Sequence, residues 1–106
     1  MKRKAINLLL NMGMPAGIKG FHYIVDALCI MDSNKDYVGG NVVELYAKIA
    51  SQNKTTSSGV ERSVRHAFEK VRKYGNEENV RKYFGDQKPT NGNLLNALFL
   101  RLTQEE

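Results

Sequence analysis

The sequence predicts an all-α fold, a compact bundle of about six helices that contains a helix-turn-helix. Three observations predict it. Glycine and proline divide the chain into short segments whose apolar residues mostly recur every three or four positions. Alternating strand-like runs are missing, and Val42-Val43 is too short to argue for a sheet. Finally, Ile49-Ala50, a polar break and then Val60 reproduce the spacing of two helices joined by a tight turn. Neither an internal repeat nor a low-complexity tract interrupts the pattern.

The first helix is predicted over about Lys4 to Asn11, because Gly13 and then Pro15 follow in the order of helix-ending signals. The second runs from about Ile18 to Met31, with Phe21, Ile24, Val25, Leu28 and Met31 at helical spacing. Asp32-Ser33-Asn34-Lys35-Asp36 follows as a polar loop, and Gly39-Gly40 marks a turn. A third helix, about Val42 to Gln52, is expected to bury Val43, Leu45, Tyr46, Ile49 and Ala50, before the break Asn53-Lys54-Thr55-Thr56. The fourth starts at Ser57 or Ser58, with the serines available as N-caps, and continues to about Tyr74, where Gly75 ends it. The fifth covers about Glu77 to Tyr83 and ends at Gly85. The sixth starts after Pro89-Thr90 and carries Leu94, Leu95, Leu98, Phe99 and Leu102.

A length of 106 residues allows one domain, and 42% hydrophobic with 25% charged residues is an ordinary globular composition. A second, catalytic domain has no room. The 16 Lys+Arg against 11 Asp+Glu leave a formal charge of +5, with a pI near 9.4, which favours an acidic partner. Cys29 stands alone, so there is no disulfide framework. With only His22 and His66 beside it no paired zinc ligands can be drawn. An intracellular, cytoplasmic protein without metal or cofactor is expected, and Cys29 reads as a small core residue. Polar residues interrupt every apolar stretch short of the roughly 18 needed for a membrane span. Met1-Lys2-Arg3-Lys4 before Ala5 to Leu10 superficially copies a secretory signal, but the run is short, contains Asn7 and lacks a small-x-small cleavage site. No nucleophile and base arrangement and no GxxxxGK[ST] phosphate cradle is present, so an enzyme is not expected.

The fourth helix carries the functional signal. At roughly 100° per residue, Val60, Val64, Ala67, Phe68 and Val71 gather on one side. Ser58, Glu61, Arg62, Arg65, Glu69, Arg72 and Lys73 gather on the other, with His66 at its edge. The small Ala50 lets the preceding helix cross closely, and packing of Val60 and Val64 onto it turns the opposite face toward where a major groove can receive it. Lys54 replaces the usual turn glycine.

Such a face has a definite chemistry on DNA. A guanidinium donates two hydrogen bonds to guanine O6 and N7, and a glutamate accepts from cytosine N4, each good contact discriminating by about 1–3 kcal/mol. Glu61, Arg62 and Arg65 are the natural candidates. Surrounding Lys and Arg add salt-dependent attraction to phosphates, and Ser57, Ser58 and the first-turn amides suit a phosphate anchor. The bland reading is a solvated, salt-bridged face, because Glu61 with Arg65 and Glu69 with Lys73 have favourable four-residue spacing. Periodicity alone leaves both readings open.

Three blocks then carry a resemblance. They are Met14-Pro15-Ala16-Gly17-Ile18-Lys19-Gly20-Phe21, Thr55-Thr56 leading to Val60-Glu61-Arg62-Ser63-Val64-Arg65-His66-Ala67, and Lys88-Pro89-Thr90-Asn91. Together they closely resemble the C-terminal DNA-binding domain of the sporulation initiation factor, stage-zero sporulation protein A, from about Ile6 to Leu102. The resemblance implies a six-helix, transcription-regulating domain of endospore-forming bacteria whose fourth helix reads a short DNA box in the major groove. By that likeness Glu61, Arg62, Arg65 and His66 fall on DNA-facing family positions; Glu61 and Arg62 are expected to read bases, and Arg65 and His66 mainly to contact phosphates or position the readers. Ser58 completes the expected DNA-binding set.

Two departures accompany the likeness. Gly59 stands where the family pattern commonly has an arginine facing DNA, so one base contact is missing and an altered preference is expected. Gly85-Asp86-Gln87-Lys88 is a shorter connection than the family loop. The receiver domain that normally precedes this module does not fit in these residues, so the chain is expected to be either an excised domain or a stand-alone relative. Double-stranded DNA is the expected partner, with a second copy on DNA and RNA polymerase as candidate protein partners. Two alternatives are weighed. A helical protein-interaction module is suggested by Leu94, Leu95, Leu98, Phe99, Leu100 and Leu102, more apolar residues than one narrow stripe requires. An RNA-binding module is suggested by Gly17-Ile18-Lys19-Gly20, a GXXG loop of the KH type, although a KH fold also needs a sheet.

Overall fold

A computed structural model describes residues 1–40, 42–85 and 90–104 of the chain. Six helices follow in order: α1 (Lys2–Asn11), α2 (Lys19–Ser33), α3 (Val42–Gln52), α4 (Ser57–Tyr74), α5 (Glu77–Phe84) and α6 (Asn91–Gln104). No strand forms among the described residues. The polar segment after α2 is more ordered than its composition predicts. Asn34 caps a short 3-10 turn, Lys35–Tyr37, by accepting from the Asp36 amide at 3.0 Å.

The core is built around α2, which packs on α1, α3, α4 and α6. Nine of its 15 residues are buried, so this helix is apolar on nearly every side, as a central helix must be. Gly20 sets its closest approach to α4. A Cβ there would overlap the Ser63 carbonyl oxygen and stand 2.6 Å from the Ala67 Cβ. Buried under α4 in the first turn of α2, Gly20 serves helix crossing and does not open a GXXG clamp, so the RNA-binding alternative loses both its sheet and its loop.

α1 ends where the sequence predicts. Gly13 adopts a φ of 85°. Its amide donates to the Leu10 carbonyl at 2.9 Å and the Met14 amide to Leu9 at 3.0 Å, the paired bonds of a glycine C-cap. The Asn76 amide donates to the Met12 carbonyl at 2.8 Å, and this ties the α4–α5 junction to the end of α1. Met12 and Met14, in the connecting segment, are fully inside the core.

Three expectations are corrected. Val43 is 64% exposed while Leu45, Tyr46, Ile49 and Ala50 are buried. Counting roughly 100° per residue puts Val42, not Val43, at the middle of that buried arc, and Val42 is the one that packs against the core. The cap of α4 is Thr56, whose hydroxyl accepts from the Gly59 amide at 3.0 Å, rather than either serine. The surplus of apolar residues on α6 is absorbed within the fold. Leu94, Leu95, Leu98, Phe99 and Leu102 are all buried, and Leu100 is exposed at 49%, so the argument for a protein-docking face on α6 loses its surface. Cys29 is only half-buried, and burial raises its thiol above the ordinary value. The shortened connection and Lys88-Pro89 lie outside the described residues.

Candidate nucleic-acid interface

α3 and α4 pack on each other through a four-residue turn, 53–56. The turn's geometry explains how it does without glycine. Lys54 takes a φ of 53°, the left-handed value found at no other non-glycine residue described, and the Thr55 amide donates back to the Ala50 carbonyl at 3.0 Å. A lysine in this region is strained by about 1–2 kcal/mol. The αL cap closes α3 despite that strain.

Inside the crossing, Ala50, Val60 and Val64 are buried, with Ala67, Phe68 and Val71 continuing the stripe along α4. Full burial of each valine or phenylalanine stabilises by about 1.5–3 kcal/mol. That fixes the rotation of the helix and hence which side chains point outward. Ser58, Arg62, Arg65 and His66 are exposed and Glu61 is half-buried. Four of the five candidate residues therefore sit on the side away from the core and Glu61 at its edge, all within the first ten residues of α4.

The C-terminal half differs. The Arg72 guanidinium lies over the Phe84 ring at 5.6 Å, and the Lys73 ammonium lies 5.4 Å from the centroid of Tyr74. Those two cations are turned onto neighbouring rings, whereas Arg62 and Arg65 nearer the turn are exposed.

The predicted pair Glu61–Arg65 is formed, at 3.3 Å, with both side chains well exposed. An exposed pair of this kind stabilises by only about 0–1 kcal/mol, so Arg65 loses little by exchanging Glu61 for a phosphate. The bond therefore does not favour the bland reading of the face.

Two recesses join the start of α4 to neighbouring helices. One, about 420 Å³, lies against the start of α2 and is lined by Ile18, Lys19, Gly20, Arg62, Ser63 and His66. It brings Lys19 next to Arg62 and His66, an addition to the basic surface that spacing along α4 does not reveal. The other, about 510 Å³, lies between α3, α4 and the start of α6, and includes Tyr46, Glu61, Val42, Gly92 and Asn96. The Tyr46 hydroxyl is buried here without a hydrogen-bond partner. Burial first, and then the Glu61 charge, push its pKa up to about 12, so it stays a protonated donor at ordinary pH.

Gly59 is in the first turn of α4. A Cβ built on it would stand 3.0 Å from the Thr56 hydroxyl and 3.1 Å from that of Thr55. A side chain at this position fits once the cap shifts by a few tenths of an ångström, so glycine is not demanded by the fold.

Six helices among the described residues, two of them forming a helix-turn-helix with a basic outward face on the second, fit a small all-α regulatory domain of the DNA-binding class. The family model for the sporulation initiation factor Spo0A C-terminal domain matches residues 5–102. The chain belongs to that family, whose members are DNA-binding, transcription-regulating domains. Among the described residues no helix is long and apolar enough to cross a membrane.

Proposed function

We propose that the chain is a single helix-turn-helix unit that binds double-stranded DNA sequence-specifically, with α4 lying in the major groove. Glu61 and Arg62 read bases, Arg65 and His66 hold phosphates or position the readers, and Ser58 contacts the backbone at the helix start. The protein works in the cytoplasm on promoter DNA, with a second copy on the duplex and RNA polymerase as its protein partners. The observation that supports this reading is the exposure of Arg62, Arg65 and His66 directly above buried Val60 and Val64.

Selection from a random duplex pool, followed by titration of the winner and a scrambled duplex at several salt concentrations, tests it. Arg62→Ala is expected to weaken binding of the winner by about 1–3 kcal/mol with a much smaller effect on the scramble. Gly59→Arg is expected to select a different winner. Affinity for both duplexes should fall with salt as phosphate contacts are screened. Equal affinity for winner and scramble in every variant would remove base recognition from the account.

A further inference from the structure

A phenol inside a core is an expensive way to fill space if its hydroxyl has nothing to bond, since a phenylalanine of the same shape leaves no orphaned donor. Tyr46 is such a case. Only 5% of it is exposed and its hydroxyl has no partner. Tyr46 and Glu61 line the same recess, and after burial the Glu61 charge is the second influence on the phenol. Two other acceptors on that wall already accept a bond. The Asn96 side-chain oxygen accepts from the Gly39 amide at 3.0 Å, and the Thr90 hydroxyl accepts from the Asn93 amide at 3.3 Å. The Glu61 carboxylate is held at present by Arg65, at 3.3 Å, in an exposed and weak pair.

We propose that Tyr46 is a positioning residue for base reading: when a duplex draws Arg65 onto a phosphate, the Tyr46 hydroxyl donates to Glu61 and holds its carboxylate toward the base. In free protein Arg65 orients Glu61; in the complex Tyr46 takes over. The carboxylate thus never has to be immobilised by the duplex alone, and the orphaned donor of the free state finds its partner in the bound one. This inference rests on the reading of α4 given above.

The test uses wild type, Tyr46→Phe, Glu61→Gln and the double variant. Thermal denaturation without DNA comes first, and Tyr46→Phe is expected to match or exceed the wild-type Tm because it deletes an unpaired polar group. Binding is then compared between the selected duplex and one altered at the base pair whose preference depends on Glu61. Tyr46→Phe should reduce that preference by about tenfold, the scale of a hydrogen bond to a charged group, and should change nothing further once Glu61 is Gln. Undiminished preference in Tyr46→Phe overturns the proposal, as does an equal loss in the Glu61→Gln background. A lower Tm also overturns it, because the hydroxyl would then have a partner within the free fold. If wild type itself fails to distinguish winner from scramble, the reading of α4 falls and this inference with it; if wild type distinguishes and Tyr46→Phe does so equally, only this inference falls.

Discussion

α4 and α6 both pack on α2 and both present apolar stripes to the core, but their remaining side chains are used in opposite ways. On α6 several polar groups are engaged within the fold. Asn96 accepts from Gly39, Thr103 donates to the Phe99 carbonyl, and Arg101 lies over the Tyr83 ring. Near the start of α4, by contrast, Arg62, Arg65 and His66 project into solvent. The more apolar helix is thus largely absorbed by its own fold, with Leu100 left outside, and the less apolar one is left with unspent bonding capacity. Apolar count does not mark a docking surface. What marks one is polar chemistry that the rest of the chain leaves unanswered.

The contrast can be broken by mutation. The largest effect is expected within α6: Leu98→Ala, at a position with no exposure, should destabilise by about 2–5 kcal/mol in chemical denaturation. Leu100→Ala, two residues on, should stay within about 0.5 kcal/mol. Near-equal losses at both would mean that α6 is rotated from the arrangement described. At the α2–α4 crossing, Gly20→Ala forces a methyl group against the Ser63 carbonyl and should cost about 1–3 kcal/mol, while also displacing the reading face and weakening DNA binding. A neutral outcome would show that the two helices do not approach so closely. On the exposed side of α4, Arg62→Ala should move stability by no more than about 0.5 kcal/mol despite its effect on the selected duplex. Loss of fold in this variant would place Arg62 in the structural set with Leu98. The smallest effect is expected at the turn, where Lys54→Gly relieves a positive φ and should stabilise by up to about 1 kcal/mol.

Much of this architecture was legible because its signals are local. Gly13, Gly75 and Gly85 end three helices where they were expected, and the period of Val60, Val64, Ala67, Phe68 and Val71 gave the rotation of α4 correctly. What was missed depends on contacts distant in sequence. Val42 and Val43 are adjacent and alike, so only the packing of α3 decides which is inside. Met12 and Met14 lie in a connection and have no periodicity to betray their burial. The apolar excess of α6 looks like surplus until α2, α4 and α5 are placed around it. At the candidate site, the outward residues of α4 were readable from helical angle. The approach of Lys19 to His66 and the solitary Tyr46 hydroxyl required the third dimension, because the first comes from α2 and the second from α3. Tyr46 is at a core position by spacing, and nothing in a one-dimensional pattern distinguishes a buried ring from a buried ring with an unanswered donor.

Amide chemical-shift mapping on titration with the selected duplex shows which face of the protein meets DNA. The account predicts that the largest changes fall on Ser58, Glu61, Arg62, Arg65 and His66, while the exposed end of α6 around Leu100 stays unperturbed. Changes centred on α6 or α1, with the outer face of α4 silent, would contradict it.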